Sequence, residues 1–146
     1  MNYFSVFSIS GSGMTVEKTR VDVAAVNLAN MHSTRSINGG AYQPMRVLSG
    51  ERLDNSSFAD MLSAPTDAMR GAQVLGVETL NVEPRLAFEP GHPDADEKGY
   101  VRYPNVDQTA EMLTLVSAVR AYEANLVALN AAKNMALRAL EIGDQR

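Results

Sequence analysis

Residues 106–143, "VDQTAEMLTLVSAVRAYEANLVALNAAKNMALRALEIG", decide the fold. From Val106 to Ile142 there is no glycine and no proline, and good helix formers dominate. Met112, Leu115, Val119, Tyr122, Leu126, Leu129, Lys133, Ala136 and Leu140 recur at alternating steps of three and four. All but Lys133 are apolar, which is the seam of a coiled coil. Gly143 sits just past the last apolar residue, where a helix stop is expected. At 1.5 Å per residue the helix runs roughly 50 Å, beyond the width of a small globule. It needs a partner along its length.

The sequence offers one near the other end. "ISGSGMTVEKTRVDVAAVNLANM", residues 9–31, carries Met14, Val21, Ala24, Leu28 and Met31 at helical spacing, with Glu17 interrupting. Thr15 stands where an N-terminal cap would sit. The helix is expected to fade after Asn30, because "HSTRSINGG" is rich in turn formers. Val16, Val23 and Val26 lie off the first stripe, and Val116, Val127 and Ala131 lie off the second. A helix pair buries one seam from each partner. Each Leu- or Val-sized side chain left wet forgoes about 1.5–3 kcal/mol. Lateral association of many similar chains resolves this excess.

Between the helices the texture changes. "AYQPMRVL" (41–48), "QVLGVETLNV" (73–82), "RLAFE" (85–89) and "GYVRY" (99–103) are short β-type runs separated by turn residues. The stretch 54–71 is weakly patterned and reads as a loop with a helical turn. The fold class is therefore α+β: long antiparallel N- and C-terminal helices, coiled-coil-like, around a small β-rich insertion. Three zones follow: 1–33, 34–104 and 105–146.

Composition narrows the function classes. The chain has 146 residues, a net charge of −4 and 45% hydrophobic content, with no cysteine and no tryptophan. Lys and Arg are scattered singly, so a nucleic-acid role is not expected. Disulfides, thiolate metal sites and thiol catalysis are excluded. "MNYFSVFSIS" lacks a positive n-region, the first basic residue being Lys18, so a cleaved secretory signal is not expected. The most apolar stretch, Leu113 to Leu140, is interrupted by Arg120, Glu123 and Lys133, so no transmembrane segment is expected.

One stretch invites a chemical reading: "GHPDADEKGYVRYPNV", 91–106. As a calcium loop it places Asp94, Asp96 and Gly99 at positions 1, 3 and 6. Lys98 then falls at position 5, and Asn105 replaces the bidentate Glu at position 12. As a zinc site, His92 has no second His or Cys nearby. A hydrolytic or metal-binding enzyme using 92–97 is the alternative reading, and the chain supplies it no further constellation. Neither a cofactor nor a small-molecule substrate is expected. Read plainly, Pro90, Pro93 and Pro104 stiffen the chain, Gly91 and Gly99 allow sharp turns, and Asp94 or Asp96 bonds neighbouring amides. Another short motif, "NLAN" at 27–30, puts two asparagines on one helix face. They act either as helix-terminal caps or, in the case of Asn27, as a register device.

Taken together, "NLAN", "GGAYQPMRV" (39–47), "EPGHPDADEKGYVRYPNV" (89–106) and the C-terminal "RAYEANLVALNAAKNMALRALEIG" resemble the FlgC family of proximal-rod proteins of the bacterial flagellar basal body. The resemblance covers nearly the whole chain. "NLAN" is shared among flagellar axial proteins generally. The stretch from Gly91 through His92, Pro93, Asp94 and Asp96 to Gly99 and Tyr100 is the family-specific one.

The resemblance implies a structural subunit of the rod, exported through the flagellar type III apparatus without a cleaved signal. It implies helical assembly with copies of itself and with other rod proteins, terminal helices innermost around the export channel. The rod crosses the periplasm and transmits torque. On this reading Val21, Leu28, Met112, Leu115, Val119, Tyr122, Leu126, Leu129 and Leu140 carry packing. Asn27, Asn30 and Asn130 set register or cap.

Overall fold

The protein was analysed as a computed structural model, which describes residues 3–35, 39–52 and 70–144. Helix α1 spans Tyr3–Asn30 and helix α2 spans Gln108–Asp144. Between them lie strands β1 (Met45–Glu51), β2 (Ala72–Thr79), β3 (Arg85–Phe88) and β4 (Tyr100–Tyr103). They form two antiparallel hairpins, β1–β2 and β3–β4. The segment read as a loop with a helical turn lies, over 54–69, outside the described residues.

Helix α2 begins where local chemistry dictates. Buried Pro104 cannot continue a strand, and the Asp107 carboxylate then accepts the N–H groups of Thr109 (2.9 Å) and Ala110 (3.2 Å). Glu111 adds a carboxylate in the first turn, where the helix dipole favours it. At the far end the helix runs one residue past Gly143, so that glycine lies in the last turn and does not stop it. By length and composition Gln108–Ile142 is apolar enough to cross a membrane, contrary to the expectation from its charges. Over a whole window, Ala, Leu and Val outweigh the few charged residues. Only 6% of its most apolar window is fully buried within the chain, so much of its apolar surface stays open.

Helix α1 starts at Tyr3, well before the cap position assigned to Thr15. Thr15 is inside the helix, where its hydroxyl bonds back to the Gly11 carbonyl at 3.1 Å. The early start crosses Gly11 and Gly13, poor helix formers that cost about 1 kcal/mol each relative to Ala. Packing explains Gly13. A Cβ there would come within 3.0 Å of the Asn125 amide on α2. A side chain at that position would have to push the Asn125 amide aside, so the close approach favours glycine. With Gly13 beside Asn125 and Asn27 beside Glu111, the pair is antiparallel.

The apolar core of the described residues is small: Val16, Ala24, Val101, Ala118 and Ala132. Four of the five lie on the helix pair. The contact row of α2 is Leu115, Ala118, Asn125, Leu129, Ala132 and Ala136, all buried or half-buried. Met112, Val119, Tyr122, Leu126, Lys133 and Leu140, all positions of the predicted seam and all but Lys133 apolar, stand exposed one row to the side. The seam is thus rotated from the expected one, because small side chains face α1.

Hairpin β1–β2 lies along α1. The Ser12 hydroxyl accepts the Ala72 N–H (3.1 Å) and donates to the Ile9 carbonyl (2.7 Å). Two turns on, Arg20 donates to the Ser49 hydroxyl (2.8 Å) while pairing with Glu17 at 3.1 Å. Two turns further, Asn27 grips Met45. A bulge after Leu48 leaves Leu75 without a partner residue, and its side chain lies over Gly50. Arg46 and Glu78 pair across the strands. Hairpin β3–β4 differs. Among the described residues, neither of its strands closely approaches a helix or the other hairpin.

Candidate functional site: the assembly surfaces

Three regions carry the residues singled out from the sequence. The first is the outer row of α2. Met112 is 50% exposed, Leu126 42% and Leu140 71%, with Val119 and Tyr122 close to Leu126 in exposure. Leu113, Val116 and Val127 extend the wet apolar surface. Leu115 and Leu129 are half-buried on the contact row, as are Val21 and Leu28 on α1. The α2 surface therefore has two adjoining apolar rows, one closed by α1 and one open.

The second region is the 91–100 loop. The Asp96 carboxylate accepts the N–H groups of Lys98 and Tyr100, both at 2.9 Å, and the Asp96 N–H donates to the Tyr100 carbonyl at 2.8 Å. The Asp94 carboxylate accepts the Thr34 hydroxyl at 2.7 Å and faces Arg35 at 3.8 Å. The Asp94 N–H donates to His92 Nδ1 at 3.0 Å, and the His92 ring meets Tyr103 edge-on. Gly91 and Pro93 are exposed. Gly99 has φ +81°, and a Cβ there would lie 3.0 Å from the Phe88 ring and 3.1 Å from Pro90. The carboxylates that looked like ligands are spent on holding the loop.

Hydrogen bonding also sets the acidity of Asp96. The Tyr100 N–H, partly opposed by desolvation, holds its carboxyl below the usual aspartate range; the Lys98 N–H and the charges of Lys98 and Arg102 add to this. A depressed value stabilises the folded loop above the unfolded value of about 3.9. That contribution fades as pH falls through the lower folded value. We expect the Tyr100 amide resonance to titrate with a midpoint below that of a free aspartate, and Asp96→Ala to abolish the titration. An NMR pH series checks this, and a midpoint at or above the free value contradicts it.

Above the loop, β3–β4 has two unlike faces. Val101 on one face is fully buried. On the other, Leu86 is 60% exposed and Phe88 64%, with Phe88 stacked edge-on against half-exposed Tyr100 at 5.3 Å. The free surface here is mostly apolar, with exposed Arg102 opposite Leu86 on the same face.

The third region is the "NLAN" segment. Asn27 is fully buried and makes four hydrogen bonds. Its Nδ2 donates to the Met45 carbonyl (2.8 Å) and the Glu111 carboxylate (3.0 Å). Its Oδ1 accepts the Tyr42 hydroxyl (2.8 Å) and the Met45 N–H (2.9 Å). Asn30 closes the helix end: its Nδ2 donates to the Val26 carbonyl at 2.9 Å and its Oδ1 accepts the Ser33 hydroxyl at 3.3 Å. Asn130 is exposed on α2. Tyr42 and Glu111 were missed in the sequence because their partner is distant along the chain. Gly13 opposite Asn125 was missed because the search favoured large apolar residues; the small residues on α2 were the available signal.

A long antiparallel helix pair with an unmet apolar row and a small β module is the design of a subunit made for lateral assembly. Residues 97–142 match the family described as flagellar basal body rod FlgEFG protein C-terminal. Over nearly its full length the chain is similar to curated flagellar basal-body rod proteins FlgC. Identity is 38% with that of Bacillus subtilis (strain 168), over 98% of this chain and 99% of the relative. It is 38% with that of Escherichia coli O157:H7, over 98% and 99%, and 34% with that of Borreliella burgdorferi, over 97% and 98%. The chain belongs to the FlgC family of flagellar basal-body rod proteins. It is a structural subunit of the basal body that assembles with other rod components, and the enzymatic alternative has no support.

Proposed function

We propose that the chain packs helically with copies of itself and with other rod proteins to form the drive shaft around the export channel. The observation that carries this reading is the open apolar row of α2 beside the row closed by α1. The row from Met112 to Leu140 seats against a neighbouring axial helix, with Val21, Leu28, Leu115 and Leu129 holding the intrachain seam from which it is presented. Asn30 and Asn130 trim helix ends and register. The three zones divide the labour: residues 1–33 and 105–146 supply the axial helices, and 34–104 the module. Hairpin β3–β4 wedges its Leu86, Phe88 and Tyr100 face against a neighbour and stiffens the tube. The subunit leaves the cytoplasm through the flagellar type III export apparatus, without a cleaved signal, into a rod that crosses the periplasm.

Complementation tests the reading. In a strain lacking its own FlgC, the tagged chain is expected to restore swimming and to co-purify with isolated basal bodies. A chain that accumulates outside the cytoplasm yet is absent from basal bodies contradicts it.

A further inference from the structure

We infer that Asn27, Tyr42 and Glu111 form an intrachain lock that presets the angle between hairpin β1–β2 and the helix pair. The inference concerns the free chain and does not rest on the rod reading. The lock sits at the end of the pair where α1 gives way to the connector and α2 begins. It joins four places: α1 at Asn27, the connector at Tyr42, the first residue of β1 at Met45, and the first turn of α2 at Glu111.

Asparagine is required there by donor and acceptor count. A carboxamide offers two N–H donors and a two-lone-pair acceptor in one plane, and each is used. Leucine fills similar space and satisfies none of the four. Aspartate supplies no donor and sets its charge against the Glu111 carboxylate and the Met45 carbonyl. Among buried polar groups, a fully satisfied network specifies one arrangement, and a half-satisfied one does not. Tyr42 suits its part. Burial, and after it the Glu111 charge, raises its pKa, so the hydroxyl stays a donor to Asn27 throughout the ordinary pH range. The apolar core under the hairpin is slight, so orientation depends on polar joints. Ser12 and Arg20 hold the rest of β1–β2 to α1 alone. Among the described residues, only the Asn27 joint also reaches α2.

The absence of cysteine allows a clean test. Cysteines placed at exposed Thr79 on β2 and exposed Glu123 on α2 take spin labels in the full chain. The distance between the labels is expected to be single and narrow in the parent protein. Asn27→Leu and Asn27→Asp are expected to lose the narrow distance while circular dichroism keeps the helical signal. Asn30→Ala, which removes bonds only to Val26 and Ser33, is expected to keep it. Should either Asn27 variant lose its helices, Tyr42→Phe decides, since it deletes one hydroxyl. Broadening supports the lock, and an unchanged narrow distance overturns it. A broad distance in the parent, or an unchanged one in a folded Asn27→Leu, also overturns it.

Discussion

Leu126→Asp is expected to abolish swimming and leave the isolated chain folded. Leu126 is 42% exposed on the open row of α2, beside the row that closes on α1, so its replacement leaves that contact row intact. Exposed substitutions of this kind stay within about 0.5 kcal/mol, with a few tenths more for the weaker helix propensity of Asp. In a packed assembly the same position loses its water. An unpaired carboxylate there costs several kcal/mol at each contact, repeated for every subunit. Such a penalty stops assembly altogether. Swimming halos and basal-body preparations should both be empty of the variant. On the proposed export route, the variant is still expected outside the cytoplasm. Normal swimming would sink the assignment of the open row to subunit contact.

The second large effect is on stability. Ala118→Leu combined with Ala132→Leu is expected to lower the urea midpoint sharply. Both alanines are buried, at 3% and 1% exposure, on the row that meets α1. Adding three carbons to each overfills a tight contact and costs about 1–3 kcal/mol per site. The sites lie about 21 Å apart along α2, far enough for the costs to add. A total of roughly 2–6 kcal/mol is a large share of the 5–15 typical of a domain. The paired control is Val119→Leu with Lys133→Leu, each the immediate neighbour of one alanine and each exposed. That pair should leave the midpoint nearly unchanged. Equal effects from the two pairs would show that the contact row has been misplaced.

The contrast between these neighbours shows what sequence reading captures here. The two helices, the four strands and the antiparallel plan were legible, since periodicity and turn residues report local geometry. The face of α2 that meets α1 was not. A search for apolar spacing weights Val119 and Leu126 above Ala118 and Asn125. In this chain Ala118, Asn125 and Ala132 close the pair together with Leu115 and Leu129, and Val119 and Leu126 remain open. The start of α1 was hidden for a related reason. Gly11 and Gly13 argue against helix locally, and at Gly13 close approach to Asn125 of α2 favours the small residue. The four bonds of Asn27 connect residues up to 84 positions apart, and no spacing rule reaches that far. The Asp96 turn was readable because its partners, Lys98 and Tyr100, lie two and four residues away. The plain reading, in which Asp94 or Asp96 bonds neighbouring amides, matches the Asp96 bonds. What sequence reading missed there was the exposed face of Leu86, Phe88 and Tyr100 beside the loop.

Hairpin β3–β4 stands off both helices and the other hairpin, tethered through Asp94 to Thr34 and Arg35. Two bodies joined in series share a load according to compliance, and the softer one yields first. The helix pair is braced along its length by close-packed backbone. The hairpin buries Val101 on one face, but among the described residues its strands closely approach neither helix, and its bonds to the rest of the chain run through loops. Under rotation, strain therefore collects in the tether, and the axial helices keep their spacing. In the proposed assembly this tether is where the Phe88 face adjusts to a neighbour. A shaft built from such parts is stiff along its axis and forgiving at its collar.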